Sequence, residues 1–177
     1  DLVELYNVNE KKVSVTYFGI ENFSKHSFED LKDKFAKPFI LYVGARGRYK
    51  NFVNLVKAFS KSQKIKKDFS VICFGGGKFV KEELNLFRDS KLNEKIFKQI
   101  SSDDKTLAYL YKNATCLVFP SIHEGLGLPP LEAMSIGCPV ISSNHKAIVE
   151  GVGEAAVLFD PLDIEQFCYV LENTLYS

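Results

Sequence analysis

The sequence has no tryptophan, a single methionine and no cysteine pair with Cys-x-x-Cys spacing. Most of its four cysteines lie in or beside apolar runs, so we interpret them as small buried side chains in a reducing compartment. A disulfide framework and a zinc site are therefore not expected. No run of about 18 apolar residues occurs, which argues against a membrane-spanning helix. The cysteines are Cys73, Cys116, Cys138 and Cys168.

An excess of charge of either sign is also absent. Lysine and arginine total 23 against 22 acidic residues, for a net charge of +1. The chain therefore lacks the overall field that would hold nucleic acid or a membrane surface, and we expect no nucleic-acid partner. A basic run at residues 61–67 is interpreted as a solvated helix end. The hydrophobic fraction of 46% is that of an ordinary globular domain.

Apolar runs of strand length alternate with amphipathic helical stretches along the chain. The predicted strands are 13–18, 38–44, 68–77, 95–100, 115–121, 139–143 and 156–161. The predicted helices are 51–63, 81–90, 103–114, 129–137 and 164–176, with a short one within 23–37. Buried strands separated by helices predict an α/β fold, a Rossmann-like doubly wound parallel sheet. Such sheets bind ligands at the carboxyl ends of the strands, where strand order reverses.

Familiar phosphate-binding signatures are incomplete in this sequence. The loop "GARGRYK" at 44–50 lacks the Gly-Lys-Ser/Thr that closes a P-loop, and "FGGGKF" at 74–79 lacks it as well. Neither these glycines nor those at 125–127 complete G-x-G-x-x-G before a helix. A nucleoside triphosphatase and a nicotinamide dehydrogenase are therefore poorly supported.

Two basic residues, Arg46 and Lys50, occupy the loop between the predicted strand 38–44 and the next helix. The free amides and the dipole of a helix N-terminus already favour anions. Two cations beside such a helix start would form a clamp for a diphosphate, and the guanidinium adds bidentate geometry. A basic loop without a ligand would have the same sequence, so both interpretations stay open.

The segment "SIHEGLGLPPLEAMSIG" at 121–137 places two glutamates around a loop with little side-chain bulk. The amides from Gly125 to Leu128 precede a helix start marked by two prolines, and they can face a ligand oxygen. Glu124 and Glu132 can accept hydrogen bonds from vicinal hydroxyls, as an acid that reads a ribose does. This order suits a nucleotide sugar. A simple loop residue and a helix-dipole glutamate remain the alternative.

These segments resemble a known enzyme family. The stretches "YVGARGRYKNFVNLVKAF", "LVFPSIHEGLGLPPLEAMSIGCPVISSN" and "GEAAVLFDP" are similar to the retaining glycosyltransferases of family 4, the glycosyl transferases group 1. The resemblance runs from about Val13 to the end of the chain. It implies the GT-B fold, in which two Rossmann-like domains face a cleft, and this chain would be one half of it.

The resemblance implies a role for each matching residue. Lys50 would contact the donor diphosphate with Arg46 as its partner, and Glu124 would bind hydroxyls of the transferred sugar. Glu132 would bind the nucleotide ribose, and the main chain at Ile100 would meet the base. The catalytic residues would thus be Arg46, Lys50 and Glu124. The substrate-binding residues would be Gly44, Ile100, Gly125, Leu126, Gly127, Leu128 and Glu132.

The mechanism implied by the resemblance is hexosyl transfer with retention of configuration. A departing nucleoside diphosphate develops negative charge, which fixed cations and backbone dipoles stabilise. No Asp-x-Asp occurs in the sequence. We therefore expect no metal and no cofactor, because Arg46, Lys50 and the helix start would supply the positive charge.

The family pattern also implies a larger protein than these 177 residues. We expect residues 1–177 to be the C-terminal nucleotide-sugar-binding domain, with the N-terminal acceptor domain absent, and little transfer by this chain alone. The implied partners are a UDP-, GDP- or ADP-linked sugar, the missing domain, and a saccharide or lipid-linked acceptor. The implied setting is mannosyltransferase-like synthesis of cell-surface polysaccharide or glycolipid. It would be in the cytoplasm, or peripherally at the inner face of the membrane through the missing domain.

Two other functions stay open. A nucleotide-sugar epimerase of GT-B type shares the fold, but it does not share the "EGLGLPPLE" arrangement. A non-catalytic binding module would be expected to lose Lys50 or the paired glutamates, and this sequence retains them. Both observations favour the transferase.

Overall fold

The computed structural model describes residues 2–16, 19–20, 23, 28, 38–93 and 95–177, which contain one parallel sheet. Its strands are β1 (Phe39–Val43), β2 (Ser70–Phe74), β3 (Phe97–Ile100), β4 (Cys116–Phe119), β5 (Val140–Ser143) and β6 (Val157–Phe159). The helices are α1 (Leu2–Tyr6), α2 (Phe52–Lys61), α3 (Gln63–Asp68), α4 (Lys81–Asp89), α5 (Asp104–Asn113), α6 (Leu128–Ser135), α7 (Lys146–Val152) and α8 (Ile164–Tyr176).

The strand order β3-β2-β1-β4-β5-β6 confirms the predicted Rossmann-like, doubly wound α/β sheet. All neighbouring strands are parallel, so their carboxyl ends share one edge. Strands β1, β2 and β3 follow one another toward one edge strand of the sheet, and β4, β5 and β6 follow one another toward the opposite edge strand. Strand order therefore reverses between β1 and β4. The crevice outside that reversal, between the loops that follow β1 and β4, is where such a sheet takes a ligand.

Strand β1 shows why the buried strands read as continuous apolar runs. All five of its residues are buried. Ile40 and Tyr42 pack in the core that lies under α2, α4 and α8. Phe39, Leu41 and Val43 pack on the opposite face, in the core under α5 and α6. Because alternate side chains of a strand point to opposite faces, a strand covered on both faces needs an apolar residue at every position.

Aromatic rings fix the start of α2. The Phe52 ring lies 5.2 Å from that of Tyr42, 6.0 Å from Phe97, 6.2 Å from Phe87 and 6.4 Å from Phe79, measured between centroids. These neighbours come from β1, β3, α4 and the loop before α4. The loop between β1 and α2 is therefore held at both of its ends by the core.

One predicted strand is wrong over its described part. Residues 13–16 of the strand predicted at 13–18 have no regular structure. Val13 ends a short 3-10 turn, with its N–H donating to the carbonyl of Glu10 at 3.0 Å, and Val15 is 75% exposed. Alternation predicts a strand only where one face becomes buried. Residues 17–18 and most of the helix predicted within 23–37 lie outside the described residues.

The other predicted strands and helices are present, with ends shifted by a few residues. Three helices, α1, α3 and α7, were not predicted. Helix α3 begins after Ser62, whose hydroxyl accepts the N–H of Ile65 at 3.2 Å. The three helices are short. Helix α1 buries no residue, α3 buries only Ile65, and α7 buries Ile148 and Val152. So few apolar residues produce little helical periodicity. Across the described ranges, no helix combines the length and the apolar character that crossing a bilayer requires.

The burial of three thiols is confirmed, whereas Cys168 is only half-buried. Burial raises the pKa of Cys73 and Cys116, and it raises that of Cys138 to about 12. A raised pKa means less thiolate, the reactive form. Partial burial and the charges of Glu172 and Glu165 raise the pKa of Cys168 as well, so its accessibility is what distinguishes it from the other three. We expect a thiol-specific disulfide reagent near pH 8 to modify Cys168 in the native protein and the other three only after denaturation. A Cys168→Ser variant serves as the control, and rapid native modification of that variant would contradict the expectation.

Candidate functional site

The loops after β1 and β4 are joined at the strand reversal. The loop after β1 ends in a 3-10 turn at Arg48–Lys50, and Asn51 then takes a left-handed φ of 56° before α2. The side-chain amide of Asn51 donates to the Pro161 carbonyl at 2.7 Å. The N–H of Ile122, in the loop after β4, donates to the Tyr49 carbonyl at 2.7 Å. The first bond ties the end of the turn to the loop after β6, and the second ties the turn to the loop after β4.

Lys50 and Glu124 form an ion pair across the crevice. Lys50 Nζ lies 2.6 Å from Glu124 Oε1, and the two side chains are 15% and 13% exposed. The same ammonium lies 5.2 Å from the centroid of the Phe119 ring and 5.3 Å from that of Tyr49. A charge-assisted bond in such a poorly solvated place is strong, and removing either partner would leave the other charge uncompensated. The structure thus brings together two residues that lie far apart in sequence.

The glycine loop leads from Glu124 into α6. Gly127 has a φ of 77°, and a β-carbon on it would lie 3.4 Å from the Ile148 side chain. Gly125 is exposed and Leu126 is half-exposed. Residues 129 and 130 are prolines without an N–H, so the first turn of α6 offers only the amides of residues 128 and 131. The helix start therefore has fewer donors than its position alone would predict.

Glu132 projects from α6 toward a buried tyrosine of α5. The hydroxyl of Tyr111 donates to Glu132 Oε2 at 2.9 Å. Tyr111 is fully buried, and burial, together with the charge of Glu132 and the bond to it, raises its pKa. The phenol therefore stays protonated and orients a carboxylate that remains partly exposed. The sequence analysis missed Tyr111, and no local motif marks it, because the contact spans 21 positions.

Arg46 does not stand beside Lys50 as the predicted clamp requires. Its side chain is 3% exposed, and its Nε lies 2.6 Å from Glu83 Oε1. The guanidinium also donates to main-chain carbonyls of the loop after β2, at 75–78. The direct role predicted for Arg46 on a diphosphate stays a prediction, and in this structure its side chain binds Glu83 and the loop after β2. Its nitrogens are engaged by the protein, because Arg46 lies before the 3-10 turn Arg48–Lys50, whereas Lys50 lies at the end of that turn.

Gly44 follows β1 and Ile100 ends β3, the two strands on either side of β2, at the same edge of the sheet. Gly44 donates its N–H to the Phe74 carbonyl at 2.9 Å and has a φ of 117°. The carbonyl of Ile100 accepts the N–H of Gly75 at 2.8 Å. The end of β2 and the loop after it therefore connect these two positions.

His123, in the loop after β4, has an aromatic neighbour. Its ring lies 5.1 Å from that of His145 at an interplanar angle of 73°. His145 follows β5, so the contact joins the loops after β4 and β5. Within the described parts of the chain, no group of three or more His, Cys, Asp or Glu side chains is placed to hold a metal ion. Metal independence stays a prediction.

Of the predicted site residues, Lys50 and Glu124 are thus in direct contact, and Glu132 follows the glycine loop on α6 with its carboxylate oriented by Tyr111. Such a set can bind an anion with a hydroxyl-bearing group on either side. The strand order and this crevice define a doubly wound α/β domain of the Rossmann type. The chain belongs to the glycosyl transferases group 1, since the model of that family matches residues 24–175.

Two relatives illustrate the match. The O-antigen chain mannosyltransferase RfbU of Salmonella typhimurium is 30% identical over 175 residues, covering 97% of this chain and 47% of that protein. The serotype-specific mannosyltransferase WbdA of Escherichia coli is 32% identical over 169 residues, covering 89% and 20%. The chain thus spans about half, or less, of the length of these relatives.

Solved structures share the fold. A glycosyltransferase from Rickettsia africae ESF-5 superposes with a TM-score of 0.81 at 21% identity, over 98% of this chain and 49% of that one. WaaG, a glycosyltransferase involved in lipopolysaccharide biosynthesis, superposes with a TM-score of 0.84 at 17% identity, over 99% and 50%. The predicted GT-B type of fold is thereby confirmed.

Proposed function

We propose that this chain is the C-terminal, donor-binding domain of a retaining glycosyltransferase that takes a nucleotide-diphosphate sugar. The observation that carries the proposal is the Lys50–Glu124 ion pair at the strand reversal, 2.6 Å long and poorly solvated. In this proposal Lys50 would bind the diphosphate, and Glu124 beside it would accept hydrogen bonds from the sugar hydroxyls. Glu132, oriented by Tyr111, would accept hydrogen bonds from the ribose.

The chemistry of transfer requires stabilisation of the leaving nucleoside diphosphate. The bond between the anomeric carbon and the diphosphate oxygen breaks, and the electron pair stays on that oxygen. An acceptor hydroxyl oxygen bonds to the anomeric carbon, and the proton of that hydroxyl goes to the departing diphosphate. The Lys50 ammonium and the amides near the start of α6 would stabilise the resulting charge. We propose no metal in this step, because the lysine and the amides face the crevice where the charge develops.

The wider setting is also a proposal. The relatives named above are mannosyltransferases of O-antigen and serotype-specific chains, which supports hexosyl transfer in cell-surface polysaccharide or glycolipid synthesis. The acceptor would be a saccharide or lipid-linked saccharide, bound by a second domain. We expect the 177 residues alone to bind a nucleotide and to transfer little sugar.

Calorimetric titration with UDP, GDP and ADP tests the donor site. One diphosphate should bind the wild-type chain. Glu132→Ala should weaken it by about tenfold or more, because it removes hydrogen bonds to a charged acceptor. An analogue lacking the 2′ and 3′ hydroxyls should bind the wild type and the variant alike. Glu154→Ala, at an exposed glutamate after α7, is the charge-matched control. Equal losses in both variants would remove Glu132 from the site.

A further inference from the structure

Four consecutive carbonyls converge on one guanidinium. The three glycines after β2 have left-handed φ values of 85°, 69° and 70°. The carbonyls of residues 75, 76, 77 and 78 accept hydrogen bonds from Arg46 at 3.1, 3.3, 2.9 and 3.1 Å. Glycine adopts these left-handed conformations without steric penalty. The planar guanidinium of Arg46 thus binds the turn at residues 75–78 from one side.

Glu83, on α4, holds the guanidinium from the other side. Its two oxygens lie 2.6 Å from Arg46 Nε and 3.3 Å from Nη2, and Oε2 also accepts the N–H of Val80 at 2.8 Å. The guanidinium lies 4.7 Å from the centroid of the Phe79 ring and 5.8 Å from that of Phe52. Arg46 is therefore satisfied by carbonyls, a carboxylate and two rings, and it is closed off from solvent.

The loop held in this way touches both neighbouring strand ends of the candidate site. The N–H of Gly75 bonds to the carbonyl of Ile100 at 2.8 Å. A β-carbon on Gly76 would lie 3.0 Å from the Gly44 carbonyl oxygen. The position of residues 75–78 therefore sets the relative placement of Gly44 and Ile100.

We infer that Arg46 and Glu83 are positioning residues, a buried latch that holds residues 75–78 and thereby shapes the nucleotide end of the crevice. The expected effect of the latch on nucleotide binding rests on the proposed function, whereas its stabilisation of the conformation of residues 75–78 does not. Arg46 acts on a donor only through this loop. Glu83 is its indispensable partner, and no sequence motif marks it.

Trypsin tests the hold on the loop without any nucleotide, because Lys78 lies within the loop. The Lys78–Phe79 bond should be cut about tenfold faster or more in Glu83→Gln and in Arg46→Lys, since a loosened loop opens more often. Arg46→Lys retains the charge but loses the fork. In the control variant Glu82→Gln, which changes the exposed neighbouring carboxylate, trypsin should cut the Lys78–Phe79 bond at the wild-type rate. Wild-type cleavage rates in both latch variants would overturn the inference.

Titration with UDP, GDP and ADP shows whether disrupting the latch weakens or strengthens diphosphate binding, and the direction of the change tests the inference. We expect Glu83→Gln and Arg46→Lys each to weaken diphosphate binding by about tenfold, and the double variant to be no weaker than either single one. If Arg46 were itself a diphosphate ligand, Glu83→Gln would free it and binding would tighten. Tighter binding would thus overturn the inference. A wild type that binds no diphosphate would overturn the proposed function, and the cleavage assay would still decide the latch.

Discussion

Replacing Lys50 with alanine should weaken nucleoside diphosphate binding by about a hundredfold, because a charge-assisted contact is lost and a buried charge is left unpaired. In the wild type the ammonium lies 2.6 Å from Glu124, and both side chains are largely buried. Without it, the Glu124 carboxylate faces the entering anion and repels it. Calorimetry measures the loss. Lys57→Ala, at an exposed lysine of α2, is the control, and an equal loss there would argue against a specific role for Lys50.

Glu124→Gln should change diphosphate binding in the opposite direction. A free nucleoside diphosphate must take Lys50 from Glu124 and offers that carboxylate no hydroxyl in return. A nucleotide sugar can offer both a diphosphate and hydroxyls. The glutamine variant, which frees Lys50 at nearly constant volume, should therefore bind the diphosphate more tightly. Its preference for the nucleotide sugar over the diphosphate should fall. If the variant binds the diphosphate more weakly than the wild type, Glu124 is not a competitor for Lys50.

Gly76→Ala should lower the free energy of unfolding by about 3 kcal/mol, part from a left-handed backbone and part from overpacking. Gly76 has a φ of 69°, and a β-carbon there would lie 2.7 Å from Arg46 Nη1 and 3.0 Å from the Gly44 carbonyl oxygen. The arginine cannot swing aside without giving up Glu83 and the loop carbonyls. The clash therefore acts on the latch itself.

Gly77→Ala is a matched control for that substitution. Its φ of 70° is nearly the same, and nothing lies within 4 Å of an added β-carbon. It should therefore lower the free energy of unfolding by only about 1–2 kcal/mol, the backbone part alone. In thermal melts each kcal/mol corresponds to about 2–4 °C for a chain of this size. Equal melting temperatures for the two variants would show that the contact at Gly76 is not tight.

The fold could be predicted because its cause is local. A strand buried on both faces must be apolar throughout, and a helix on the surface of the sheet must be apolar on one side, so the two patterns differ in period. Residues 13–16 show where this fails, because alternation is also present in an extended segment that nothing covers. Whether a neighbouring strand exists is a property of the whole chain.

The residues of the candidate site could be predicted from the sequence, but not all of the ion pairs that they form. Parallel strands place the loops after them at one edge, so Lys50, Glu124 and Ile100 could be assigned to that edge from sequence. The direction of each side chain could not. Arg46 and Lys50 are four positions apart, yet one pairs with Glu83 and the other with Glu124.

The sequence by itself determined the alternation of strands and helices, the glycine turns, and which charged residues lie at the carboxyl edge of the sheet. Only the tertiary structure decided which charges meet. The strand order places the loop after β2 on one side of β1 and the loop after β4 on the other. Arg46, before the 3-10 turn Arg48–Lys50, therefore pairs with Glu83, and Lys50, at the end of that turn, pairs with Glu124. Both pairings depend on long-range packing, which local propensity cannot encode.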